Sequence, residues 1–264
     1  MKRLVFPAII MLITTISSCR KVYDYIRDHP DAHDSLCRVT VITFNIGEKY
    51  LITYNAKGNP VTMKESTGTS HVDLDRYYRY DRFDRLSDYM GAYPGNFGAI
   101  FWHKYAYLRP GFITDTVMFY DTGDVRDPTS PIAKNSAEYY IYGYTLDARD
   151  RIVRIWSIPN NPPHTPVLQS EIHYDANGNR PLPDSSLSYD DKVNPYRTNK
   201  VWQFIYQDYS RNNILKNDYY WFPTYNSFGL PLTIRNLQNY NIYPFDVVNQ
   251  APEMEITYAC SMNY

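Results

Sequence analysis

Histidine and carboxylate side chains could hold a metal ion or move a proton, so their spacing is the first guide to chemistry. The chain has six His, but it contains no His-Glu-x-x-His, Cys-x-x-Cys or Gly-x-Ser-x-Gly pattern. The densest group of metal-ligand types is two His and three Asp within residues 28–34, a polar segment where solvated side chains are expected. Paired carboxylates such as Asp81 and Asp84 could serve glycoside hydrolysis, but they recur at turn positions. We therefore predict no catalytic residue, no metal site and no cofactor.

Aromatic side chains are the other group that could act on a ligand. Residues 101–107 and 219–225 carry rings at successive positions, which places rings on both faces of a strand. One face can pack in the core, while the other could present a stacking surface for a sugar ring or a peptide. The candidate stacking residues are Trp102, Tyr105, Tyr220 and Trp221. The alternatives are a sheet with two covered faces or cross-strand aromatic ladders.

The N-terminal segment has the order of a secretory signal peptide. Met-Lys-Arg is followed by an apolar run from Leu4 to Ile16 and then by small residues up to Cys19. The run is shorter than the roughly 20 apolar residues that a membrane-spanning helix needs. We expect residues 1–18 to be a signal peptide.

Residues 16–19, Ile-Ser-Ser-Cys, resemble the lipobox of bacterial lipoproteins. The resemblance implies that Cys19 becomes the lipidated N-terminus of the mature chain, which is then anchored in a membrane of the cell envelope. The alternative is an ordinary secreted protein cut near Ser18. Arg20 and Lys21 stand where Asp would favour retention in the inner membrane, so we expect the outer membrane, with a periplasmic or a surface face.

The composition excludes some partners and favours one fold class. Loss of residues 1–18 removes Lys2 and Arg3 from the 27 basic residues, leaving 25 against 28 acidic ones. Nucleic acid is therefore excluded as a partner, because phosphate binding depends on clustered Lys and Arg. The 28 Tyr favour strands, the 18 Pro favour turns, and helix-period apolar stripes are hard to find after Cys19. We predict an all-β protein.

Two cysteines remain for a structural role after lipidation of Cys19. Cys37 and Cys260 lie near opposite ends of the mature chain, each within an expected strand, and an envelope compartment allows disulfides. They could form one bridge that closes almost the whole domain, or they could be two buried thiols that never meet.

A short turn pattern recurs along the chain and predicts β-hairpins. Its form is an aromatic or apolar residue, Asp or Asn, two variable residues, Gly or Asp, one variable residue, and often an apolar residue. The Asp or Asn side chain would bond backbone N–H groups just ahead, and Gly or Asp would take the left-handed conformation that closes the turn. The pattern begins at Tyr54, Tyr80, Leu146, Tyr174 and Tyr225, and a related segment without Gly begins at Tyr189.

These segments resemble the YD repeats of the RHS family, and more closely the uncharacterised bacterial lipoproteins with scattered YD-like hairpins. The resemblance implies an antiparallel meander that is curled or closes on itself, as a barrel-like or a two-layer structure. Here the intervals are uneven, the chain is short and no toxin-like domain follows, so the closed shell of RHS proteins is not expected.

We therefore predict three parts: a signal peptide over residues 1–18, a lipid-anchored tether over residues 19–35 and a single all-β domain over residues 36–264. The expected role is that of a non-enzymatic scaffold or binding protein of the cell envelope. The expected partners are the membrane, through the lipid, and a glycan or an envelope protein. The alternatives are a glycan- or peptidoglycan-binding module and a carbohydrate-active enzyme.

Overall fold

The structure is a computed structural model that describes residues 37–45, 47–66, 74–93, 99–119, 139–182, 187–216, 220–236, 242–243, 245, 247–248 and 252–261. The predicted signal peptide, Cys19 and the predicted tether all lie outside these residues. Two short helices occur in the described part, a 3-10 helix over Pro195–Thr198 and an α-helix, α1, over Lys200–Ile205. The strands are β1 (Cys37–Phe44), β2 (Lys49–Tyr54), β3 (Pro60–Glu65), β4 (Asp75–Tyr80), β5 (Leu86–Ala92), β6 (Ala99–Arg109), β7 (Phe112–Met118), β8 (Tyr139–Leu146), β9 (Ile152–Ile158), β10 (Val167–Glu171), β11 (Leu187–Tyr189), β12 (Ile214–Lys216), β13 (Tyr220–Tyr225), β14 (Pro231–Asn236), β15 (Ile242–Tyr243), β16 (Val247–Val248) and β17 (Glu253–Cys260).

The strands form one long antiparallel sheet whose order largely follows the chain. The order is β10-β9-β8-β7-β6-β5-β4-β3-β2-β1-β17-β14-β13-β12-β11, and β15 pairs with β16 separately. The predicted all-β antiparallel meander is confirmed. Of the expected alternatives, closure into a barrel is wrong for the described residues, because the edge strands β10 and β11 do not pair with each other.

The sheet nevertheless curls around α1. The Trp202 ring lies 5.3 Å from that of Tyr78 in β4, and Phe204 lies 5.0 Å from Tyr105 in β6 and 5.8 Å from Tyr144 in β8. In a flat sheet β4 and β8 would be roughly 19 Å apart, whereas a six-residue helix is only about 9 Å long. The sheet must therefore bend around the helix, and the main core lies between α1 and this concave face.

Two asparagines begin the helical segment that fills the concave face. The side chain of Asn194 accepts a hydrogen bond from the Tyr196 N–H ahead of the 3-10 helix, and Asn199 accepts from the Val201 N–H of α1. Asn is a favoured residue at such positions because its side-chain oxygen satisfies an N–H group that the helix leaves unpaired. The buried Asn199 amide also donates to the Gly58 carbonyl at 2.9 Å, which fixes α1 to the turn after β2.

The five recurring turns share one hydrogen-bond pattern. We number each turn from the Asp or Asn that follows the aromatic or apolar residue of the pattern. The N–H of this first residue donates to the carbonyl of the fifth residue, and the N–H of the fourth residue donates to the carbonyl of the first. The side-chain oxygen of the first residue accepts from the fifth N–H. The fourth residue has positive φ in every case, at Gly58, Asp84, Asp150, Gly178 and Gly229. The predicted turn geometry is confirmed, and four of the turns close hairpins between paired strands.

All five turns lie along the same rim of the sheet, which we call the turn rim. Alternate connections of an antiparallel meander fall on one side, and the turns 55–59, 81–85, 147–151, 175–179 and 226–230 follow β2, β4, β8, β10 and β13. The turn 175–179 follows edge strand β10 and reaches the other end of the sheet. There Asn179 and Asn212 exchange two hydrogen bonds of 3.0 Å, so a turn rather than strand pairing brings the two ends together.

Tyrosine hydroxyls connect neighbouring hairpins along the turn rim. Each donates to the carbonyl of the residue that directly follows the turn of the adjacent hairpin, at 2.6 to 3.2 Å. We call these the inter-hairpin tyrosine bonds, and they are Tyr80 to Pro60, Tyr107 to Leu86, Tyr174 to Ile152 and Tyr258 to Pro231. These four tyrosines, of which Tyr80 and Tyr174 directly precede recurring turns, therefore do more than pack on the sheet, because they also connect neighbouring hairpins.

The register within β1 differs from the strict alternation expected from sequence. Strict alternation from the sequence of this strand predicts that Val39, Val41 and Thr43 share one face. The register against β17 shifts between Val39 and Val41, so that Val39, Ile42 and Phe44 are the buried residues. The prediction is wrong after Val39, because this β-bulge moves the following side chains to the opposite face.

Cys37 and Cys260 face each other across β1 and β17 and are joined by a disulfide. Of the two alternatives that the sequence left open, the structure has the bridge. It closes a sequence separation of 223 residues and lies at the turn rim, where β17 ends.

The segment that begins at Tyr189 is not a sixth turn of the recurring kind. The Asp190 carboxylate instead accepts hydrogen bonds from the backbone N–H and the side-chain amide of Asn213 and from the Tyr225 hydroxyl. The expected hairpin is wrong here, because Asp190 organises the loop that precedes the 3-10 helix.

Within the described residues, no helix is long and apolar enough to cross a membrane.

Candidate functional site

A cavity of about 850 Å³ opens at the turn rim. Its lining comes from the turns after β4, β6, β8 and β10 and from the α1 region, so it lies where the curled sheet meets the helix that fills it. The lining residues are Asn59, Asp84, Arg85, Leu86, Tyr107, Leu108, Arg109, Pro110, Gly111, Phe112, Ile113, Leu146, Arg149, Asp150, Arg151, Ala176, Asn177, Gly178, Arg197, Lys200, Val201, Gln203, Phe204, Tyr209 and Arg211.

The floor of the cavity is apolar and rigid. Leu86, Ile113, Val201 and Tyr209 are buried core residues, and Phe204 packs against that core. Binding sites for small molecules combine such a surface with a few convergent polar groups, in volumes of about 300–1,000 Å³. The cavity therefore has the size and the floor of a ligand site.

Two arginines at the rim are held in place by their own turns. Arg85 donates from Nε and a terminal nitrogen to the Asp81 carboxylate at 2.8 and 2.6 Å. Arg151 binds Asp147 in the same way. The Arg85 guanidinium also lies 4.1 Å from the centre of the Tyr107 ring, an arrangement in which a cation and an aromatic face attract each other.

The same contacts shift the pKa values of their partners. Partial burial disfavours the charged carboxylate of Asp81, but hydrogen bonds from Arg85 and from backbone N–H groups outweigh it and lower the pKa of Asp81. Asp147 has a lowered pKa for the same balance of causes, with Arg151 as its partner. Burial raises the pKa of Tyr107 to about 12, although the charge of Arg85 opposes the shift. At neutral pH the rim therefore carries ionised turn carboxylates and neutral tyrosines.

Two carboxylates also line the cavity, and both have a role in their turns. Asp84 and Asp150 occupy the left-handed fourth position, with φ of 62° and 59°. Asp tolerates this conformation better than most residues because its short polar side chain can bond locally. Asp84 also forms an ion pair with Lys57 of the neighbouring turn.

Of the aromatic residues that the sequence predicted as a stacking surface, Trp102 and Tyr105 lie on opposite faces of β6. Tyr105 is only 8% exposed and packs in the core against Phe204, so its prediction as a stacking residue is wrong. Trp102 lies on the other face of β6, half-buried, and its ring N–H donates to Asp88 at 2.8 Å. The side chains of Tyr220 and Trp221 lie outside the described part of the structure.

A second polar group lies on the concave face, away from the cavity lining. Asp115 is 1% exposed, accepts a hydrogen bond from the Tyr144 hydroxyl at 2.9 Å, and lies 2.9 Å from Nδ1 of His103. Burial, followed by the negative charge of Asp115, raises the pKa of Tyr144. A histidine–carboxylate pair can orient an imidazole for proton transfer, but none of the three residues lines the rim cavity. The two bonds reach only Oδ2 of the buried carboxylate, and Oδ1 of Asp115 has no hydrogen-bond partner among the described residues.

Comparison with protein-family models gives no match to this chain, and comparison with curated proteins gives no match either. The structure alone therefore guides the assignment of a site. Among the described residues, no group of three or more His, Cys, Asp or Glu is placed to hold a metal ion.

The cavity residues were missed by the sequence analysis because they fall at turn positions that vary. Arg85, Arg149 and Arg151 stand where the recurring pattern was read as variable, while Lys200 and Arg211 come from a segment that was not predicted to be helical. One signal was present in the sequence, since a basic residue directly follows the left-handed Asp at both Asp84 and Asp150.

Proposed function

We propose that this chain is a cell-envelope lipoprotein that binds another envelope component, without catalysis, in the cavity at the turn rim. The observation that carries the proposal is the cavity itself, whose apolar floor is rigid and whose rim arginines are held by their own turns. A preorganised site of this kind loses little conformational freedom when it binds, which favours binding over a purely scaffolding role.

The envelope location rests on the N-terminal sequence. A signal peptide over residues 1–18 would direct export, lipidation of Cys19 would anchor the mature chain, and Arg20 and Lys21 favour the outer membrane. The Cys37–Cys260 disulfide is consistent with an oxidising compartment. The recurring turns support, by their shared geometry, a relationship to the YD-repeat hairpin lipoproteins that the sequence resembles.

A glycan- or peptidoglycan-binding module is the second candidate. The amide side chains of Asn59, Asn177 and Gln203 line the cavity, and amides pair well with sugar hydroxyls because they both donate and accept hydrogen bonds. If the cavity binds a glycan, the rings of Tyr107 and Phe112, which line it, would provide the stacking surface in place of the aromatic residues proposed from sequence.

Location is tested by cell fractionation of a Cys19→Ala variant. The proposal predicts that the wild-type chain pellets with outer membranes and that the variant is released into the soluble fraction. A variant that stays in the membrane pellet contradicts lipid anchoring through Cys19.

Binding is tested by capture of the chain on purified peptidoglycan and on an array of envelope glycans. A cavity-narrowing variant, Leu108→Trp, changes an exposed residue of the lining and leaves the core intact. The proposal predicts capture by the wild-type chain and reduced capture by this variant. Equal capture of both chains would move the binding site away from the turn rim.

A further inference from the structure

The rim cavity is far more basic than the chain that carries it. Seven of its lining residues are Lys or Arg and two are Asp, whereas the whole chain has a formal net charge of −1 at pH 7. Concave surfaces lined by charges of one sign concentrate their field, and they raise the local concentration of oppositely charged ligands.

Three of the four acidic residues at or near the cavity are already engaged within the protein, and the fourth, Asp150, forms no ion pair among the described residues. Asp81 and Asp147 bind Arg85 and Arg151, and Asp84 pairs with Lys57. The carboxylates that could neutralise the rim are thus used to hold two of its arginines in place. Basic residues still outnumber carboxylates in the lining, so the cavity keeps a net positive charge that a ligand can meet.

Four of these basic residues have no acidic partner within the described part of the chain: Arg109, Arg149, Lys200 and Arg211. They come from separate elements, namely the end of β6, the turn after β8, the start of α1 and the loop that follows α1. The Arg109 guanidinium lies 5.1 Å from the centre of the Phe112 ring, which restricts its orientation. Arginine held in this way can bind carboxylate or phosphate groups through two parallel hydrogen bonds.

The rest of the lining indicates what kind of ligand carries the carboxylate or phosphate groups that these basic residues would bind. The floor is apolar, and the amides of Asn59, Asn177 and Gln203 can each donate to and accept from a hydroxyl. A sugar ring has both features that this lining matches, an apolar face and hydroxyls around its edge. The volume of about 850 Å³ is also near the upper end for small-molecule sites, well above what a single free anion would fill.

We infer that the cavity binds an anionic saccharide, one whose sugar rings carry several carboxylate or phosphate groups. This inference rests on the proposed function, because it names the ligand class of the same cavity. The negative groups contact Arg109, Arg149, Lys200 and Arg211, and the rings lie over the apolar floor. Neutral saccharides lack the partners for these four charges and bind more weakly.

The test is isothermal titration of the full chain, held in a non-ionic detergent, with three probes. Trigalacturonic acid carries carboxylates, glucose 1,6-bisphosphate carries phosphates, and cellotriose is a neutral trisaccharide. We expect at least one anionic probe to bind about tenfold or more tightly than cellotriose, and its affinity to fall as salt rises from low to physiological concentration. The better of the two anionic probes distinguishes a uronic-acid source from a phosphosugar source.

Charge-removing variants place the binding in the cavity. Arg109→Gln and Arg149→Gln change exposed side chains, and each should weaken the anionic probe by about tenfold or more, the range for hydrogen bonds between charged groups. Lys49→Gln is the matched control. It removes one exposed positive charge at the opposite end of β2 from the turn rim, and it should leave the affinity unchanged.

The outcomes separate this inference from the proposed function. Equal affinities for cellotriose and the anionic probes, or binding of an anionic probe that neither arginine variant weakens, overturn the anionic preference. Absence of binding by both anionic probes also overturns it. Each of these results leaves the proposed cavity-binding function intact if Leu108→Trp still reduces capture by peptidoglycan or glycans. If the Leu108→Trp variant is captured as well as the wild-type chain, the proposed function is wrong whatever the anionic probes show.

Discussion

The inter-hairpin tyrosine bonds predict a specific cost for the loss of one hydroxyl. Replacement of Tyr80 by Phe keeps the ring on the sheet but removes the O–H group that donates to the Pro60 carbonyl at 2.6 Å. Burial raises the pKa of Tyr80, which shows that the hydroxyl lies in a poorly solvated place. The carbonyl would be left without this donor where water has little access.

The magnitude follows from the energy of such a bond. A hydrogen bond contributes about 0.5–1.5 kcal/mol net, and a buried acceptor left without its donor costs about 1–3 kcal/mol. Because Tyr80 is only partly buried, we expect a loss of about 1–2 kcal/mol in the free energy of unfolding. For a domain of this size, 1 kcal/mol corresponds to about 2–4 °C in Tm, so Tm should fall by about 2–8 °C.

The assay is thermal and urea unfolding of Tyr80→Phe beside a matched control, Tyr140→Phe. Tyr140 lies in β8 with 58% of its side chain exposed, so the loss of its hydroxyl should change stability by less than about 0.5 kcal/mol. Equal stabilities of the two variants would refute the idea that tyrosine hydroxyls hold neighbouring hairpins together.

Three further changes test other parts of the fold. Reduction of the Cys37–Cys260 disulfide should lower the free energy of unfolding by about 5 kcal/mol, because the bridge closes almost the whole domain, and an unchanged Tm with a reducing agent would contradict its role. Asp147→Ala should lower the free energy of unfolding in urea by about 1–2 kcal/mol, because it removes the oxygen that accepts from two backbone N–H groups of the turn. Asp147→Asn keeps that oxygen and should lower it by less than about 1 kcal/mol. Equal losses in the two variants would argue against the role of this side chain in the turn. The pKa values of Tyr107 and Tyr174 are raised to about 12, so the stabilisation from their neutral hydroxyls is complete below the unfolded pKa of 10 and is lost as the pH rises through 12. The urea midpoint should therefore fall between about pH 9 and pH 12. A constant midpoint over this range would contradict the burial of these hydroxyls.

The hairpins could be predicted from sequence because their turns depend on local chemistry. One Asp or Asn that bonds the N–H groups ahead, and one residue that tolerates positive φ, define the turn within five residues. The same local pattern failed at Asp190, which accepts from the nearby Lys192 N–H but takes its other bonds from Asn213 and Tyr225, more than 20 residues away. A turn motif therefore predicts a hairpin only when its side-chain bonds are satisfied locally.

A curled meander was among the expectations, but what the sheet curls around and where the cavity lies could not be predicted, because both depend on contacts that are distant in sequence. The cause of the curl is α1, which is only six residues long and too short for a helical period to be recognised. Its two start signals, Asn194 before Pro195 and Asn199 before Lys200, were present in the sequence. The bulge after Val39 likewise had no local signal, since it is a property of the pairing between β1 and β17.

The stacking prediction for Tyr105 was wrong for a related reason. Alternation correctly separates Trp102 from Tyr105 on opposite faces of β6, but it does not tell which face is covered. The concave face is covered by α1, so Tyr105 became part of the core. The basic residues of the cavity come from the turns after β4 and β8, the end of β6, the two short helices and the loop after α1, and their convergence appears only once the sheet has curled.

The claim that the turn rim is the ligand site is tested most directly by a map of amide chemical shifts in the detergent-solubilised chain. The map would be recorded during titration with soluble peptidoglycan fragments and with trigalacturonic acid. We predict that the shifted amides cluster in residues 107–113, 146–151 and 197–211, which line the cavity. Shifts that cluster instead around Trp102 and Lys104, on the outer face of β6, would contradict the assignment of the site to the turn rim.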